Sequence, residues 1–249
     1  MDTLKGKVAV VTGGNSGIGY ATAAVLQQQG ATVIITGRRK EAIDQAASTL
    51  GVTGLVADQG KVAAIEELAT SVEKQFGKID ILFVNAGVLG GADIEHATES
   101  AFDEVMDINF KGAYFTLSRF IPILRDGASV VFLSSNTASM HAANTSIYSS
   151  SKAALNSVMK IAAVELAPRK IRVNAVSPGP IETPILSKIG MDEAQLKRLK
   201  DNITDRVPLR QFGDPNDVGR MVAHLSGDQS SFITGAEFIM DGGMSLRYN

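Results

Sequence analysis

The sequence predicts one α/β domain built on a doubly wound parallel sheet with helices on both faces. Two observations predict it. Short β-branched runs alternate with helix-patterned stretches along the whole chain, and a glycine-rich turn joins the first run to the first helix. Such alternation favours parallel strands joined by right-handed crossovers. No linker or composition shift interrupts the 249 residues, so 1–249 is expected to be a single domain.

Bulk properties narrow the function classes. With 45% hydrophobic and 20% charged residues, the chain can fill a core of that size. A net charge of -2 gives no electrostatic ground for expecting nucleic acid or an anionic membrane as partner. Cysteine is absent, which removes disulfides, thiolate catalysis and cysteine metal sites. His96, His141 and His224 are scattered without ligand spacing, so no metal centre is expected. The apolar run Val8 to Val11 starts early and meets Gly13-Gly14 at once, too short for a signal peptide or a membrane span. A soluble, cytoplasmic protein is the expectation.

Lys7 to Thr12 is β-branched and ends in turn residues, the mark of a buried strand. Gly13-Gly14-Asn15-Ser16-Gly17-Ile18-Gly19 follows, and helical pattern runs from Tyr20 to Gln29. A glycine-rich turn between strand and helix lets backbone approach a pyrophosphate at the helix N-terminus, where amides and dipole favour anions. The glycines stand at 13, 17 and 19, so the spacing is not G-x-G-x-x-G, and a tight turn without ligand is the alternative. The second strand, Thr32 to Thr36, ends in Gly37-Arg38-Arg39-Lys40. No carboxylate stands there to bind the ribose hydroxyls of NAD(H). Gly37 leaves room instead, and the guanidinium of Arg38, with Arg39 beside it, suits a 2′-phosphate, which favours NADP(H) and leaves NAD(H) possible.

A helix over roughly Lys40 to Leu50 leads to a short strand, Gly54 to Ala57, closed by Asp58. That carboxylate could accept from an adenine amino group or cap the helix expected from about Lys61 to Phe76. Ile79 to Val84 is the fourth strand, and the small residues of Asn85-Ala86-Gly87 would let a nucleotide lie close to the backbone, though a plain turn needs them too. Helical pattern resumes from Thr98 to about Ile123, with Asn109 and Gly112 as poor helix formers inside it; an interior Asn normally faces solvent. Ala128 to Leu133 is a fifth strand ending at Ser134-Ser135, of which only one can face a given site.

Tyr148-Ser149-Ser150-Ser151-Lys152 opens a long helix reaching about Leu166 and sets a phenol and an ammonium four residues apart, on one helical face. A nearby cation favours the ionised phenol, which could then exchange a proton with a carbonyl or alcohol oxygen near neutral pH. A structural helix with an interfacial Tyr and a snorkelling Lys fits the same pattern. Arg172 to Val176 is a sixth strand, and Ser177 to Pro184 breaks regularity. Leu196, Leu199 and Ile203 mark an amphipathic helix; Asp214-Pro215 starts another, with Pro at its first position, reaching Leu225. The final strand, about Glu237 to Met240, ends in Asp241-Gly242-Gly243.

Taken in order, these motifs resemble the short-chain dehydrogenase/reductase family over essentially the whole length. The resemblance rests on Thr12-Gly13-x3-Gly17-Ile18-Gly19, Asn85-Ala86-Gly87, Asn109, a serine thirteen residues before Tyr148, Tyr148-x3-Lys152, Pro178-Gly179-Pro180-Ile181-x-Thr183 and Asp241-Gly242-Gly243. It implies a Rossmann-like fold and hydride exchange between a nicotinamide cofactor and a carbonyl or secondary alcohol. Tyr148 would be the general acid/base, Ser135 would bind the substrate oxygen, and Lys152 would lower the tyrosine pKa and hold the nicotinamide ribose. Asn109 would support a water linking Lys152 to solvent. Gly13, Asn15, Ser16, Gly17, Ile18 and Gly19 would hold the pyrophosphate, and Pro178, Gly179, Ile181 and Thr183 the carboxamide end. The family usually forms tetramers, so a homotetramer is expected.

Specificity is expected in Val88 to His96, Asn136 to Ile147 and Ile185 to Arg206, the last a lid or a static covering helix. Leu89, Met140, Ile147, Ile185, Leu186 and Met191 point to an apolar pocket and an uncharged ketone or alcohol. His96 and Asn144 are expected to be loop structure rather than substrate ligands. Within enzymes the alternative is a 3-oxoacyl-thioester reductase, for which Arg169, Lys170 and Arg172 could form a basic docking surface. Outside enzymes it is a non-catalytic dinucleotide sensor.

Overall fold

The computed structural model of the chain describes residues 3–90, 93–140, 142–184 and 192–246. Seven strands form one sheet: β1 (Val8–Thr12), β2 (Thr32–Gly37), β3 (Thr53–Val56), β4 (Ile79–Val84), β5 (Leu124–Leu133), β6 (Arg172–Pro178) and β7 (Glu237–Met240). Their order is β3-β2-β1-β4-β5-β6-β7, and every pairing is parallel. This is the Rossmann-like parallel sheet that the alternating pattern predicts.

Side chains on a strand alternate between faces, so a sheet with continuous apolar strands needs cover on both sides. Val10, Ile34, Leu82 and Val130 point to one core, where they meet Leu68 of α3 (Val62–Phe76), Leu117 of α5 (Ala113–Phe120) and Leu155 and Met159 of α6 (Ser146–Glu165). Their neighbours Val11, Ile35, Ile81 and Val131 point to the other. There they meet Leu26 of α1 (Gly17–Gln28), Ile43 of α2 (Lys40–Leu50) and Val222 of α8 (Pro215–Ser226). The strand order reverses between β1 and β4, and a crevice opens at the carboxyl ends of the strands at such a point.

One long helix is not where the sequence pattern sets it. The stretch 98–123 divides into α4 (Glu99–Met106), a π-helical turn over Asp107–Gly112, α5, and a 3-10 turn over Ile121–Ile123. The physical reason lies at its two poor helix formers. Asn109 is fully buried rather than facing solvent, and Gly112 packs against the Gln59 carbonyl, where no side chain fits. The wider turn rotates Asn109 inward, as π-bulges at functional sites often do. The amphipathic helix near the carboxyl end is α7 (Glu193–Arg206), while residues 185–191 of the expected lid lie outside the described residues. No described helix is long and apolar enough to cross a membrane.

Candidate active site

A cleft of about 1030 Å³ opens at the carboxyl ends of the strands. Its floor is the glycine turn. Gly13 has φ +67°, and a Cβ there would stand 2.9 Å from Ala86 Cα. Asn85 Nδ2 donates to the carbonyl oxygens of Thr12 at 2.7 Å and Gly13 at 3.1 Å, while buried Thr12 Oγ1 accepts from the N–H of Asn85 and Ala86. Asn85 and Thr12 thus tie the ends of β1 and β4 together under the turn. The helix α1 starts at Gly17, three residues before its apolar pattern, and its N-cap Ser16 makes no side-chain capping bond. No acidic residue stands in its first turn. Uncapped amides at the positive end of a helix, facing a cleft, fit a pyrophosphate.

The rest of the expected nucleotide residues separate into two groups. Asn15, Ser16, Gly17, Ile18, Gly19, Arg38, Arg39, Asp58, Asn85, Ala86, Gly87 and Thr183 line the cleft. Arg38 and Arg39 are exposed and form no ion pair among the described residues. Asp58 does not cap α3, whose N-cap is Lys61; it accepts from Gly60 N–H at 3.1 Å and faces the cleft. Pro178, Gly179 and Ile181 lie outside the lining. Pro178 pairs with Met240, the Gly179 N–H donates to Met240 O at 3.0 Å, and Ile181 bridges to Gly213 and faces a separate cavity. These three shape the loop that brings Thr183 to within 3.5 Å of the Gly17 Cβ position.

Tyr148 lines the same cleft one helical turn from Lys152. Ser135 is buried beside it, whereas Ser134 points the other way and donates to Lys152 O at 3.3 Å. Burial pushes the Tyr148 phenol up from its usual range, and the hydrogen bond with Ser135 pulls it back only in part. This corrects the expectation that Lys152 makes the phenol acidic. The Lys152 ammonium lies 5.7 Å from the Tyr148 ring centroid, over the ring, and donates to Leu133 O at 2.8 Å. With its side chain buried and no carboxylate to hold the charge, Lys152 is itself brought down to about 8.

Asn109 sits behind this pair. Its Oδ1 accepts from Val88 N–H at 2.8 Å, and its Nδ2 donates to Val88 O at 2.9 Å and Ser151 Oγ at 3.3 Å. The amide therefore clamps both polar groups of the residue after Gly87, whose own Cβ position is 3.6 Å from Lys152 Nζ. Replacing Asn109 by leucine, of similar size, strands those groups. The expected cost is about 2–3 kcal/mol, read as a fall in the unfolding midpoint together with lost activity.

Within the expected specificity segment Asn136 to Ile147, Thr137, Asn144 and Thr145 line the cleft, Asn144 as an exposed turn residue with φ +64°. Leu133 and Pro184 also line it and were not expected there. Asp241 holds the wall from behind. Burial raises its carboxyl, but bonds from Ser245, Gly243 and Asn136 outweigh that and keep it below its usual range. Of the expected apolar pocket, Leu89 lines the cleft; Met140 and Ile147 do not, and Ile185, Leu186 and Met191 lie outside the described residues, as does His141. His96 pairs with Asp93 on the surface. No cluster among the described residues could hold a metal ion.

The expected basic docking surface is not free. Arg172 is buried and donates to Leu225 O and Gly227 O at the end of α8, and Arg169 is bound to Asp126 and the carbonyls of Ile121 and Leu124. Only Lys170 of the three projects without such contacts.

Comparison with known proteins gives one answer. The model for the family described as enoyl-(acyl carrier protein) reductase matches residues 13–245. Dehydrogenase/reductase SDR family member 4 of Homo sapiens is 37% identical over 99% of this chain and 90% of its own length. The NADP-dependent (R)-specific alcohol dehydrogenase of Lentilactobacillus kefiri is 34% identical, over 99% of each. The 3-oxoacyl-[acyl-carrier-protein] reductase of Thermotoga maritima is 35% identical, over 98% of this chain and 99% of the relative. Among solved structures, levodione reductase superposes with a TM-score of 0.93 at 29% identity, covering 98% of this chain and 100% of that one. Actinorhodin polyketide ketoreductase with NADPH gives 0.90 at 29%, covering 97% and 98%.

Proposed function

The chain belongs to the short-chain dehydrogenase/reductase family, a family of NAD(P)H-binding oxidoreductases, and from that premise we propose that it interconverts a ketone and a secondary alcohol with NADP(H). The observation that carries the reading is that the uncapped α1 terminus and Tyr148 line one cleft, with Ser135 hydrogen-bonded to Tyr148 and Lys152 buried over its ring. The bound nicotinamide would supply or take the hydride. The chain supplies position and protons. Gly13 and Asn15 to Gly19 hold the pyrophosphate, Arg38 and Arg39 the 2′-phosphate, Asp58 the adenine amino group, Asn85 to Gly87 the ribose, and Thr183 the carboxamide end.

As negative charge builds on the substrate oxygen, Ser135 Oγ–H and Tyr148 Oη–H donate to it, and the phenol proton completes the alcohol. A phenol held above its usual range by burial stays protonated until the oxyanion forms, which suits reduction. Lys152, at about 8, can release and recover a proton near neutral pH and so recharge the phenol. A water beside Asn109 would link it to solvent. The oxidation runs these steps in reverse. A panel of ketones and alcohols, each assayed with both cofactors by the absorbance of the reduced nicotinamide, tests the reading; cofactor binding with no turnover across the panel would favour the dinucleotide sensor instead.

Cofactor choice rests on Arg38, a free guanidinium at the cleft with no competing carboxylate at the end of β2. Arg38→Asp is expected to move the kcat/KM ratio toward NAD(H) by about tenfold to a hundredfold, the worth of a charge-assisted bond. An unchanged ratio would make Arg38 a solvated surface charge. The thioester reductase reading keeps the support of the Thermotoga maritima relative but loses its docking surface, since Arg169 and Arg172 are spent inside the chain. Free ketones are expected to be turned over better than carrier thioesters. A cytoplasmic homotetramer completes the proposal: Ile161 and Val164 on α6 and Phe232 and Ile239 near β7 leave two separate apolar faces exposed.

A further inference from the structure

We propose that Thr137 is a positioning residue that aims the hydroxyl proton of Ser135 at the reacting oxygen. The proposal rests on the reading of Ser135 and Tyr148 given above. Ser135 Oγ accepts two hydrogen bonds from the same residue, from Thr137 N–H at 3.2 Å and from Thr137 Oγ1–H at 2.9 Å. A hydroxyl has one proton and two lone pairs. With both lone pairs filled, the Ser135 proton has one direction left, away from Thr137, and the remaining hydrogen-bond partner of Ser135 is Tyr148. A donated bond also polarises the hydroxyl that receives it and makes that hydroxyl a stronger donor.

The geometry is held from several sides. Ser135 caps the 3-10 turn Asn136–Ala138 in extended conformation (φ -160°, ψ 151°), and Ala138 N–H donates to Ser135 O at 3.0 Å. Asn136, between the two hydroxyl residues, is buried and donates to Met140 Sδ and to the Asp241 carboxylate. Thr137 is half-buried with a face on the cleft, and its hydroxyl is held by its bond to Ser135. The terminal Asp241-Gly242-Gly243 segment thereby reaches the reacting centre through the turn that carries Thr137.

The test is a set of five variants with purified, folded protein: Thr137→Val, Thr137→Ser, Ser135→Ala, Thr137→Val combined with Ser135→Ala, and Tyr148→Phe. Thr137→Val removes the hydroxyl at constant shape and is expected to lower kcat about tenfold with little change in KM, the worth of one oriented hydrogen bond. In the oxidation direction its acid limb should move to higher pH, because a bond to the phenolate form that is no longer enforced stabilises that form less. Thr137→Ser restores the donor and should restore both kcat and the limb. In the Ser135→Ala background the valine should cost nothing further, since there is no proton left to aim. Thr137→Val with the rate and pH profile of the parent overturns the proposal, as does a serine variant as slow as the valine one. If Tyr148→Phe is inactive while Thr137→Val is unaffected, only the positioning role fails; if Tyr148→Phe retains activity, the underlying reading fails first.

Discussion

Tyr148→Phe is expected to bind the nicotinamide cofactor almost as the parent does and to lose turnover by about a thousandfold, within the range contributed by one positioned proton donor. The phenyl ring keeps its place in the cleft wall, so the unfolding midpoint stays close to that of the parent. What goes is the Oη–H, the group that sits beside Ser135 with its acidity weakened by burial. Binding is read from quenching or fluorescence of the reduced nicotinamide, and turnover from its absorbance. A variant that keeps most of the parent rate would remove Tyr148 from the chemistry. In the reducing direction the parent rate should fall only on the alkaline side, where a phenol that must donate has lost its proton.

Lys152→Met has two expected effects of opposite sign. Under the proposed mechanism turnover should fall by at least about a hundredfold, because the group proposed to recharge the phenol and hold the ribose is gone. Stability without ligand does not fall with it. A free lysine keeps its proton to 10.5, whereas the buried Lys152 releases it at about 8. Below about 8 the folded chain carries the whole penalty of a buried cation, on the order of 3 kcal/mol, and the penalty is relieved as pH rises from about 8 toward 10.5. Methionine fills the same space without the charge, at the cost of the bond to Leu133 O. At pH 7 the variant should therefore unfold at an equal or higher temperature than the parent, and the parent should gain on it between pH 8 and 10. A variant less stable at pH 7, with a gap that does not vary with pH, would mean that Lys152 is not a desolvated cation in the free protein.

Much of the fold was legible because parallel strands buried on both faces write themselves as β-branched runs; β4 and β7 fall at their expected residues. The glycine turn was legible for a similar reason: positive φ at Gly13 and Gly17 and close approach to Ala86 leave little choice of residue. What stayed hidden was decided by contacts far apart in sequence. The π-helical turn depends on Gln59 lying against Gly112 and on Val88 receiving Asn109, neither of which helix propensity expresses. The direction of the Tyr148 shift depended on how deeply the phenol is buried, opposed only by its bond with Ser135, while the Lys152 ammonium rests over the ring and bonds to Leu133. Spacing of four residues gives the shared face and not that height. Arg172 looked like a surface charge and is a buried anchor for the end of α8, because its strand lies inside the sheet. Thr137 fell within the expected specificity segment Asn136 to Ile147, but its role became visible only with its two bonds to Ser135.

What matters most is how close Tyr148 Oη and Ser135 Oγ come to the substrate oxygen. A crystal structure with oxidised cofactor and a secondary alcohol, or with a ketone inhibitor in its place, measures it directly. Tyr148 Oη and Ser135 Oγ are both expected within about 2.6–3.2 Å of the substrate oxygen, in the cleft that Leu133, Thr137 and Thr183 line. A substrate oxygen bound elsewhere in the cleft, with the phenol out of hydrogen-bonding reach, would contradict it.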